Sequence, residues 1–295
     1  MVAVFLFSDW LNRQMVVVLT GAAVVFVFGI WDDFKGLAAG QKLAGQLIAA
    51  CILVSFGVQV HFLTVLFETW HLSLMIAQAL NITITLFWVI GITNAMNMID
   101  SMDGIVAGLG GIAFACFFGA MILANQSSQA IWSAVLLGVC VGLYFWNKTA
   151  GKFFLGDSGA QTMGFLLASF GIMYNPLNRS PESSWFVPIM LLSVPIFDTT
   201  LVVFSRFKRK QPIGSGRRDH TYHRLIAIGY SPRVAVFLTH LAAFIISCVA
   251  YLTLYLPPLP AILLFLMTIL FGLAALLWLE QRPTLDDQPQ GKNDE

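Results

Sequence analysis

The feature that most constrains this chain is the recurrence of apolar stretches about as long as a bilayer is thick. A membrane-spanning helix needs ~20 mainly apolar residues, because it must cross a hydrocarbon core of ~30 Å. Such stretches recur along the whole sequence, and only 11% of its residues are charged. A soluble domain has ~25% charged residues. The sequence therefore excludes a soluble domain and predicts an all-α, polytopic membrane protein.

About nine stretches are long enough to be full membrane helices. They lie at 15–31, 42–60, 74–96, 105–124, 130–147, 159–174, 185–206, 233–254 and 258–279. Residues 2–7 are similar to the end of a further span, so the expectation is a helix bundle with a partial helix at its N-terminus. The sequence thus predicts one membrane domain over 1–280 and a polar, disordered cytoplasmic tail over 281–295.

Positive charge is distributed unequally between the two sets of loops that these spans define. Only Arg13 and Arg179 lie on one side, and the other fourteen Lys and Arg lie on the opposite side or at its helix ends. Because Lys and Arg are enriched in cytoplasmic loops, the second side is predicted to be the cytoplasm. Its loops are 31–41, 97–104, 148–158, 207–232 and the C-terminal tail.

Acidic residues gather at the same predicted cytoplasmic side. They are Asp32, Asp33, Asp100, Asp103, Asp157 and Asp219, together with Asp198 inside a span. Asp100 and Asp103 are three residues apart, which would place both on one face if this stretch is helical. Clustered carboxylates repel one another unless a cation lies between them, and Mg²⁺ prefers carboxylate and phosphate oxygens. The pattern favours a Mg²⁺ and phosphate site over helix-end charges that are merely solvated.

A second candidate site lies in the long predicted loop over 207–232. Its HTYHR stretch contains His220, His223 and Arg224 within five residues. A guanidinium binds phosphate oxygens in a bidentate manner, so this group could bind a diphosphate. A zinc site is disfavoured because no third soft ligand lies nearby.

Two other phosphate-handling motifs are excluded by their residues. GKFFLGDSG lacks the GxxxxGK[ST] order of a P-loop. DSMDGIVAG is similar to the aspartate motif of CDP-alcohol phosphotransferases, but Gly108 stands where that motif has Arg. The downstream DxxxD pair of that motif is also absent.

Five motifs in one order resemble the polyprenyl-phosphate N-acetylhexosamine-1-phosphate transferases over roughly residues 20–280. The motifs are WDDFKGL, NAMNMIDSMDG, GKFFLGDSG, PIFDTT and HTYHRL. These bacterial membrane enzymes are relatives of the phospho-MurNAc-pentapeptide translocase and start the synthesis of O-antigen, teichoic acid and related glycans. The resemblance implies transfer of a sugar-1-phosphate from a UDP-sugar to undecaprenyl phosphate, with release of UMP. HTYHR is more similar to the GlcNAc branch, so the implied sugar is GlcNAc.

The resemblance also implies roles for individual residues. The implied catalytic residues are Asp32, Asp33 and Asp100. The implied substrate-binding residues are Asp103, Asn97, Asn147, Phe154, Lys152, His220, His223 and Arg224. The implied ligands of Mg²⁺, or of Mn²⁺ in its place, are Asp157 and Asp100.

Within these groups the resemblance assigns more specific positions. Asp32 and Asp33 are expected at the lipid phosphate, where one acts as base or nucleophile, and the sequence does not decide which. Asp103 is expected at the uridine nucleotide, whereas the HTYHR segment is expected at the diphosphate and sugar. The implied partners are the UDP-sugar, the polyprenyl phosphate and a second copy in a homodimer, with no nucleic acid. The implied location is the bacterial plasma membrane, with the active site on its cytoplasmic face.

Two alternatives remain open from the sequence. A transporter or channel could use Asp198 as a proton or ion site inside the membrane, although this leaves the other carboxylates on one side unexplained. An inactive relative could retain only nucleotide or lipid binding. Members of the family usually have a full first span and then a basic loop before their second span. Residues 2–7 resemble the end of that second span, so the chain is expected to begin inside it.

Overall fold

A computed structural model of the chain describes residues 12–69, 73–150, 155–176, 184–212 and 218–287. All regular secondary structure in these ranges is helical, which confirms the all-α prediction. The predicted partial span at 2–7 lies outside the described residues.

The described part of the chain forms a series of α-helices that ends in a short 3₁₀ helix. The helices are α1 (Arg13–Lys35), α2 (Ala39–Ser55), α3 (Phe62–Thr69), α4 (Leu74–Ile99), α5 (Ile105–Leu123), α6 (Ser127–Ala150), α7 (Gly156–Met173), α8 (Val187–Leu191), α9 (Ser193–Lys208), α10 (Thr221–Ala227), α11 (Pro232–Thr253) and α12 (Pro258–Glu280). The 3₁₀ helix, Leu285–Asp287, lies in the predicted disordered tail.

Among the described residues, six helices are long and apolar enough to cross a membrane: α1, α4, α5, α6, α11 and α12. They confirm a multi-pass membrane protein, but the predicted nine full spans are not confirmed. Helix α2 is apolar but shorter than the others. The predicted span 185–206 is interrupted at Leu192, between α8 and α9. The interruption follows from Pro195, which has no N–H to donate to the carbonyl of Leu191.

Helix α7 is the buried centre of the bundle and packs against both α1 and α4. Glycines allow the backbones to approach closely, as small residues do between membrane helices. A Cβ on Gly29 would overlap the Ser158 backbone, and a Cβ on Gly164 would lie 2.7 Å from the Thr93 Cα. This packing brings the C-terminal ends of α1 and α4 to the N-terminal end of α7.

The loops separate to two opposite ends of the bundle, as the predicted alternation requires. At one end, Asn12 donates to Ser128 over 3.3 Å, and Gln126 accepts from the backbone N–H of Asn175 over 3.1 Å. At the other end, Lys42 contacts Asp157. The acidic residues therefore share one end of the molecule.

Candidate active site

Asp33 caps the N-terminal end of α7. Its carboxylate accepts hydrogen bonds from the backbone N–H groups of Asp157, over 2.7 Å, and Ser158, over 3.2 Å. The first N–H groups of a helix have no intrahelical acceptor and attract negative charge. Helix α1 ends at Gly36 in a left-handed conformation (φ 67°), which leaves Asp33 in its last turn. Asp33 therefore holds the start of α7, the helix that carries Asp157.

Lys42 joins Asp32 to Asp157. Its Nζ atom is ion-paired with Asp32 Oδ2 and lies 2.7 Å from Asp157 Oδ2. The backbone N–H of Leu37 donates to the second oxygen of Asp32 over 2.6 Å. Asp32 is only 5% exposed, whereas Asp33 is exposed. Sequence reasoning missed Lys42, although its place at the start of an apolar stretch on the acidic side was a usable signal.

Asp100 and Asp103 lie in the turn between α4 and α5, which we call the acidic turn. Because α4 ends at Ile99, the prediction that a helical face aligns these two residues is wrong. Burial, together with the negative charges of Asp157, Asp103 and Asp33, raises the pKa of Asp100 to about 7. Asp100 therefore lies close enough to these carboxylates to feel their repulsion.

Two asparagines accompany this turn. Asn147 accepts a hydrogen bond from the backbone N–H of Gly104, which has a left-handed conformation (φ 79°). The Oδ1 atom of Asn97 is buried and has no hydrogen-bond partner within the described ranges. Both therefore lie beside the acidic turn, and their role in substrate binding stays a prediction. The other two expected residues, Lys152 and Phe154, lie outside the described residues.

The HTYHR segment forms α10 and contacts the acidic turn through Tyr222, a residue that sequence reasoning did not select. The Tyr222 hydroxyl donates to the Ile99 carbonyl over 3.2 Å and is hydrogen-bonded to the Ser101 hydroxyl. The ring of His223 lies 4.5 Å from that of Tyr222. Burial, reinforced by the neighbouring His220, lowers the pKa of His223 to about 4. His223 is therefore a neutral imidazole at pH 7.

Arg224 points away from the acidic cluster, by which we mean Asp32, Asp33, Asp100, Asp103 and Asp157. All five of its N–H groups have protein acceptors, and the side chain is fully buried. The acceptors are the carbonyls of Asp219, Leu279 and Arg282, the Ser205 hydroxyl and the Glu280 carboxylate. In this arrangement no N–H is left for a ligand, and its expected contact with the diphosphate stays a prediction.

The donor atoms of the cluster suit a hard divalent cation. Carboxylate oxygens are ligands that Mg²⁺ prefers. Burial and, after it, the charges of nearby carboxylates raise the pKa of Asp100, and a bound cation would stabilise its charged form against both effects. Within the described ranges, however, no three His, Cys, Asp or Glu side chains are arranged to hold a metal ion. The Lys42 ammonium lies between Asp32 and Asp157 instead. The residue types therefore fit Mg²⁺, while their present positions form a salt bridge.

Comparison with known proteins decides the family. Residues 15–175, which include Asp32, Asp100 and Asp157, match glycosyl transferase family 4. The chain belongs to this family. The match confirms the resemblance that the motifs indicated, and the matched residues include every aspartate of the acidic cluster. The HTYHR segment lies beyond the matched residues.

Curated relatives extend this glycosyl transferase similarity further along the chain. A probable undecaprenyl-phosphate N-acetylglucosaminyl 1-phosphate transferase of Bacillus subtilis (strain 168) is 34% identical over 80% of this chain and 65% of its own length. A decaprenyl-phosphate N-acetylglucosaminephosphotransferase of Mycobacterium tuberculosis (strain H37Rv) is 32% identical over 80% of the chain and 63% of its own length. The undecaprenyl-phosphate alpha-N-acetylglucosaminyl 1-phosphate transferase of Escherichia coli (strain K12) is 25% identical over 88% of this chain and 70% of its own length. The chain thus spans somewhat less than two thirds of the first two relatives.

Proposed function

We propose that this glycosyl transferase family 4 member transfers N-acetylhexosamine-1-phosphate, with GlcNAc as the sugar, from a UDP-sugar to undecaprenyl or another polyprenyl phosphate. UMP is the second product, and the lipid-linked sugar starts a cell-envelope polysaccharide. The observation that carries the proposal is the group of five aspartates at one end of an apolar helix bundle, two of which, Asp32 and Asp157, contact Lys42. Such a site can meet a lipid phosphate from the membrane and a nucleotide from water. The names of the relatives support a polyprenyl phosphate as the lipid substrate and N-acetylglucosaminyl 1-phosphate as the transferred group.

The reaction moves a phosphoryl group between two phosphates. An oxygen of the lipid phosphate attacks the phosphorus atom bonded to the sugar, and the bond from that phosphorus to the bridging oxygen breaks. The electron pair leaves with UMP. Such a transfer needs alignment and neutralisation of charge more than covalent help. Within this proposal, Lys42 supplies a positive charge between Asp32 and Asp157.

The proposed metal ligands are Asp157 and Asp100, and the proposed ion is Mg²⁺, with Mn²⁺ as an alternative of the same ligand preference. A bound Mg²⁺ would polarise the phosphate oxygens and neutralise their charge. Asp157 is held in place by the contacts that Asp33 and Lys42 make with the start of α7. Asp100 is held at the end of α4.

The contacts of Asp32 and Asp33 support a division of roles between them. The Asp33 carboxylate accepts hydrogen bonds from two backbone N–H groups of α7, so we propose that Asp33 positions that helix. Asp32 faces Lys42, so we assign it the contact with the lipid phosphate as base or nucleophile. Asp103 and the two asparagines Asn97 and Asn147 are assigned to the nucleotide.

The proposal also includes a topology. The acidic end of the bundle is assigned to the cytoplasm because the Lys and Arg of the chain gather there. The finer expectations of nine full spans and a homodimer belong to this proposal as well. His220 and His223 are assigned to the diphosphate and sugar, with Tyr222 linking their helix to the acidic turn.

The proposal is tested by transfer of label from UDP-GlcNAc to undecaprenyl phosphate in detergent, with Mg²⁺ and then with EDTA. We expect label in the organic phase, equal release of UMP, and loss of both with EDTA. Asp157→Asn is expected to abolish transfer and leave thermal unfolding nearly unchanged, because an amide carries no negative charge for the ion. Near wild-type turnover in that variant would remove Asp157 from the metal site. No transfer from any UDP-N-acetylhexosamine would overturn the proposed reaction.

A further inference from the structure

Asp198 is a fully buried carboxylate to which the proposed reaction assigns no role. It lies in α9, where it is 0% exposed. Its Oδ2 atom is 2.7 Å from Nδ1 of His220, and its Oδ1 atom accepts the backbone N–H of Thr221 over 2.7 Å. Both oxygens are thus used by the first residues of the HTYHR segment. A buried carboxylate is stable only when it has such partners.

The ring of His220 is held on its face as well as at Nδ1. It stacks on Tyr222 with 5.6 Å between ring centroids and 5° between planes. Tyr222 in turn donates to the carbonyl of Ile99, the residue before Asp100. A continuous set of contacts therefore runs from Asp198 through His220 and Tyr222 to the acidic turn.

A carboxylate at Nδ1 favours the tautomer that is protonated there, and it leaves Nε2 as the nitrogen able to contact a ligand. We infer that Asp198 is a positioning residue, which orients His220 for contact with the phosphates of the nucleotide sugar. This inference rests on the proposed function. It assigns Asp198 an indirect effect on the reaction, acting through one histidine and not through an ion path.

A double-mutant cycle tests whether the effect of Asp198 passes through His220. Asp198→Asn is expected to lower kcat for GlcNAc-1-phosphate transfer by ~10–100-fold, as for carboxylates that orient metal-bound histidines. In a His220→Gln background the same change is expected to have little further effect, because the ring it orients is gone. Losses that multiply in the double variant would overturn the inference.

Asp219→Asn is the matched control for the cycle. Asp219 is also buried in this segment, and it accepts two hydrogen bonds from Arg206, at 2.9 and 2.8 Å. Within the described part of the chain, its hydrogen bonds are with Arg206 and Arg224 and not with His220. Any loss of activity in Asp219→Asn is therefore expected to multiply with that of His220→Gln. A cycle in which both aspartates couple equally to His220 would indicate general damage to the segment and would overturn the specific role of Asp198.

A spectroscopic test separates this inference from the proposed reaction. The chain has five histidines, so ¹⁵N-histidine labelling gives few ring signals, and His220→Gln identifies the one that belongs to His220. We expect Asp198→Asn to shift the Nδ1 signal of His220 and Asp219→Asn to leave it in place. An unchanged signal in Asp198→Asn would overturn the contact. A shifted signal in a protein that transfers no sugar phosphate would overturn the proposed function while the positioning of His220 stands.

Discussion

At the scale of single residues, the carboxylates of the site differ in the groups that contact them. Asp32 and Asp33 are neighbours in the sequence, yet one faces Lys42 and the other accepts two N–H groups from α7. Among the described residues no donor contacts the Asp100 carboxylate, which is buried near other acidic side chains. Residues of one chemical type therefore have three different environments.

The division between Asp32 and Asp33 predicts different consequences of substitution. Asp33→Ala removes the cap of α7 and is expected to lower the free energy of unfolding by ~1 kcal/mol, as at other helix N-termini. Asp33→Asn keeps an oxygen acceptor and should recover most of that stability and part of the transfer activity. Asp32→Asn should abolish transfer. Thermal unfolding and label transfer measure both, and full activity in Asp32→Asn would reverse the assignment.

The raised pKa of Asp100 predicts a specific dependence of stability on pH in metal-free buffer. Its pKa rises from 3.8 to about 7 in the folded protein, so the folded state binds the proton more tightly than the unfolded state. Between these two values the free energy of unfolding falls as pH rises. Asp100→Asn cannot ionise, so it should match the wild type near pH 4 and be more stable at pH 8. Thermal unfolding in EDTA measures this, and parallel curves for the two proteins would contradict it.

At the scale of elements, the close contact of α1 with α7 sets the positions of the acidic residues. Gly29 lies one turn before Asp33, and its Cα faces the Ser158 backbone in the first turn of α7. A larger residue there would separate the two helix ends. The hydrogen bonds from α7 to Asp33 depend on that approach.

Gly29→Ala tests this contact. The added methyl group would overlap the Ser158 backbone, which cannot rotate away. We expect a loss of ~1–3 kcal/mol in the free energy of unfolding, typical of overpacking, together with reduced transfer activity. Gly91→Ala in α4 is the matched control, because a Cβ there meets no atom within 4 Å. Equal stability of the two variants would show that the contact does not constrain the site.

At the scale of the whole molecule, the last helix is tied to the HTYHR segment. Arg224 donates to the carbonyls of Leu279 and Arg282 over 2.8 and 3.2 Å and to the Glu280 carboxylate over 2.9 Å. Further along, the backbone N–H of Arg218 donates to Asp286 over 3.0 Å. The end of α12 and the start of the tail therefore support a helix that contacts the acidic turn.

Arg224→Ala is expected to destabilise the protein by ~3–5 kcal/mol, because it removes the buried partner of Glu280 and leaves that carboxylate only its longer contacts with Lys208 and Arg209, at 3.9 and 3.8 Å. Arg224→Lys should recover little, since an ammonium lacks the planar fork of a guanidinium. In a Glu280→Gln background the loss should be smaller, which thermal unfolding of the four proteins would measure. Unchanged stability with a raised KM for UDP-GlcNAc would instead support direct contact of Arg224 with the diphosphate.

The transporter alternative also depends on the whole molecule. It required Asp198 to be available as an ion site inside the membrane. Both oxygens of that carboxylate are instead used by His220 and Thr221. The structure thus gives Asp198 a local partner, and the family match covers the acidic motifs.

The sequence by itself determined the all-α membrane class, the family and the gathering of the acidic motifs at one end of the bundle. These follow from hydropathy, from the alternation of spans and from local motifs, each of which is readable within a short window of residues. Two predictions made from short windows of residues were not met because of the backbone. Helix α4 ends at Ile99, before Asp100 and Asp103, and Pro195 interrupts the predicted span 185–206.

Only the tertiary structure decided which partner each site residue has. Lys42 contacts Asp157 across 115 positions of the chain, and Arg224 contacts Glu280 across 56. Such pairs depend on how closely helices pack and in which direction each side chain leaves its helix, and neither property is a sum of local preferences. Arg224 therefore has the chemistry of a phosphate ligand in its sequence motif and the contacts of a buried anchor in the folded chain.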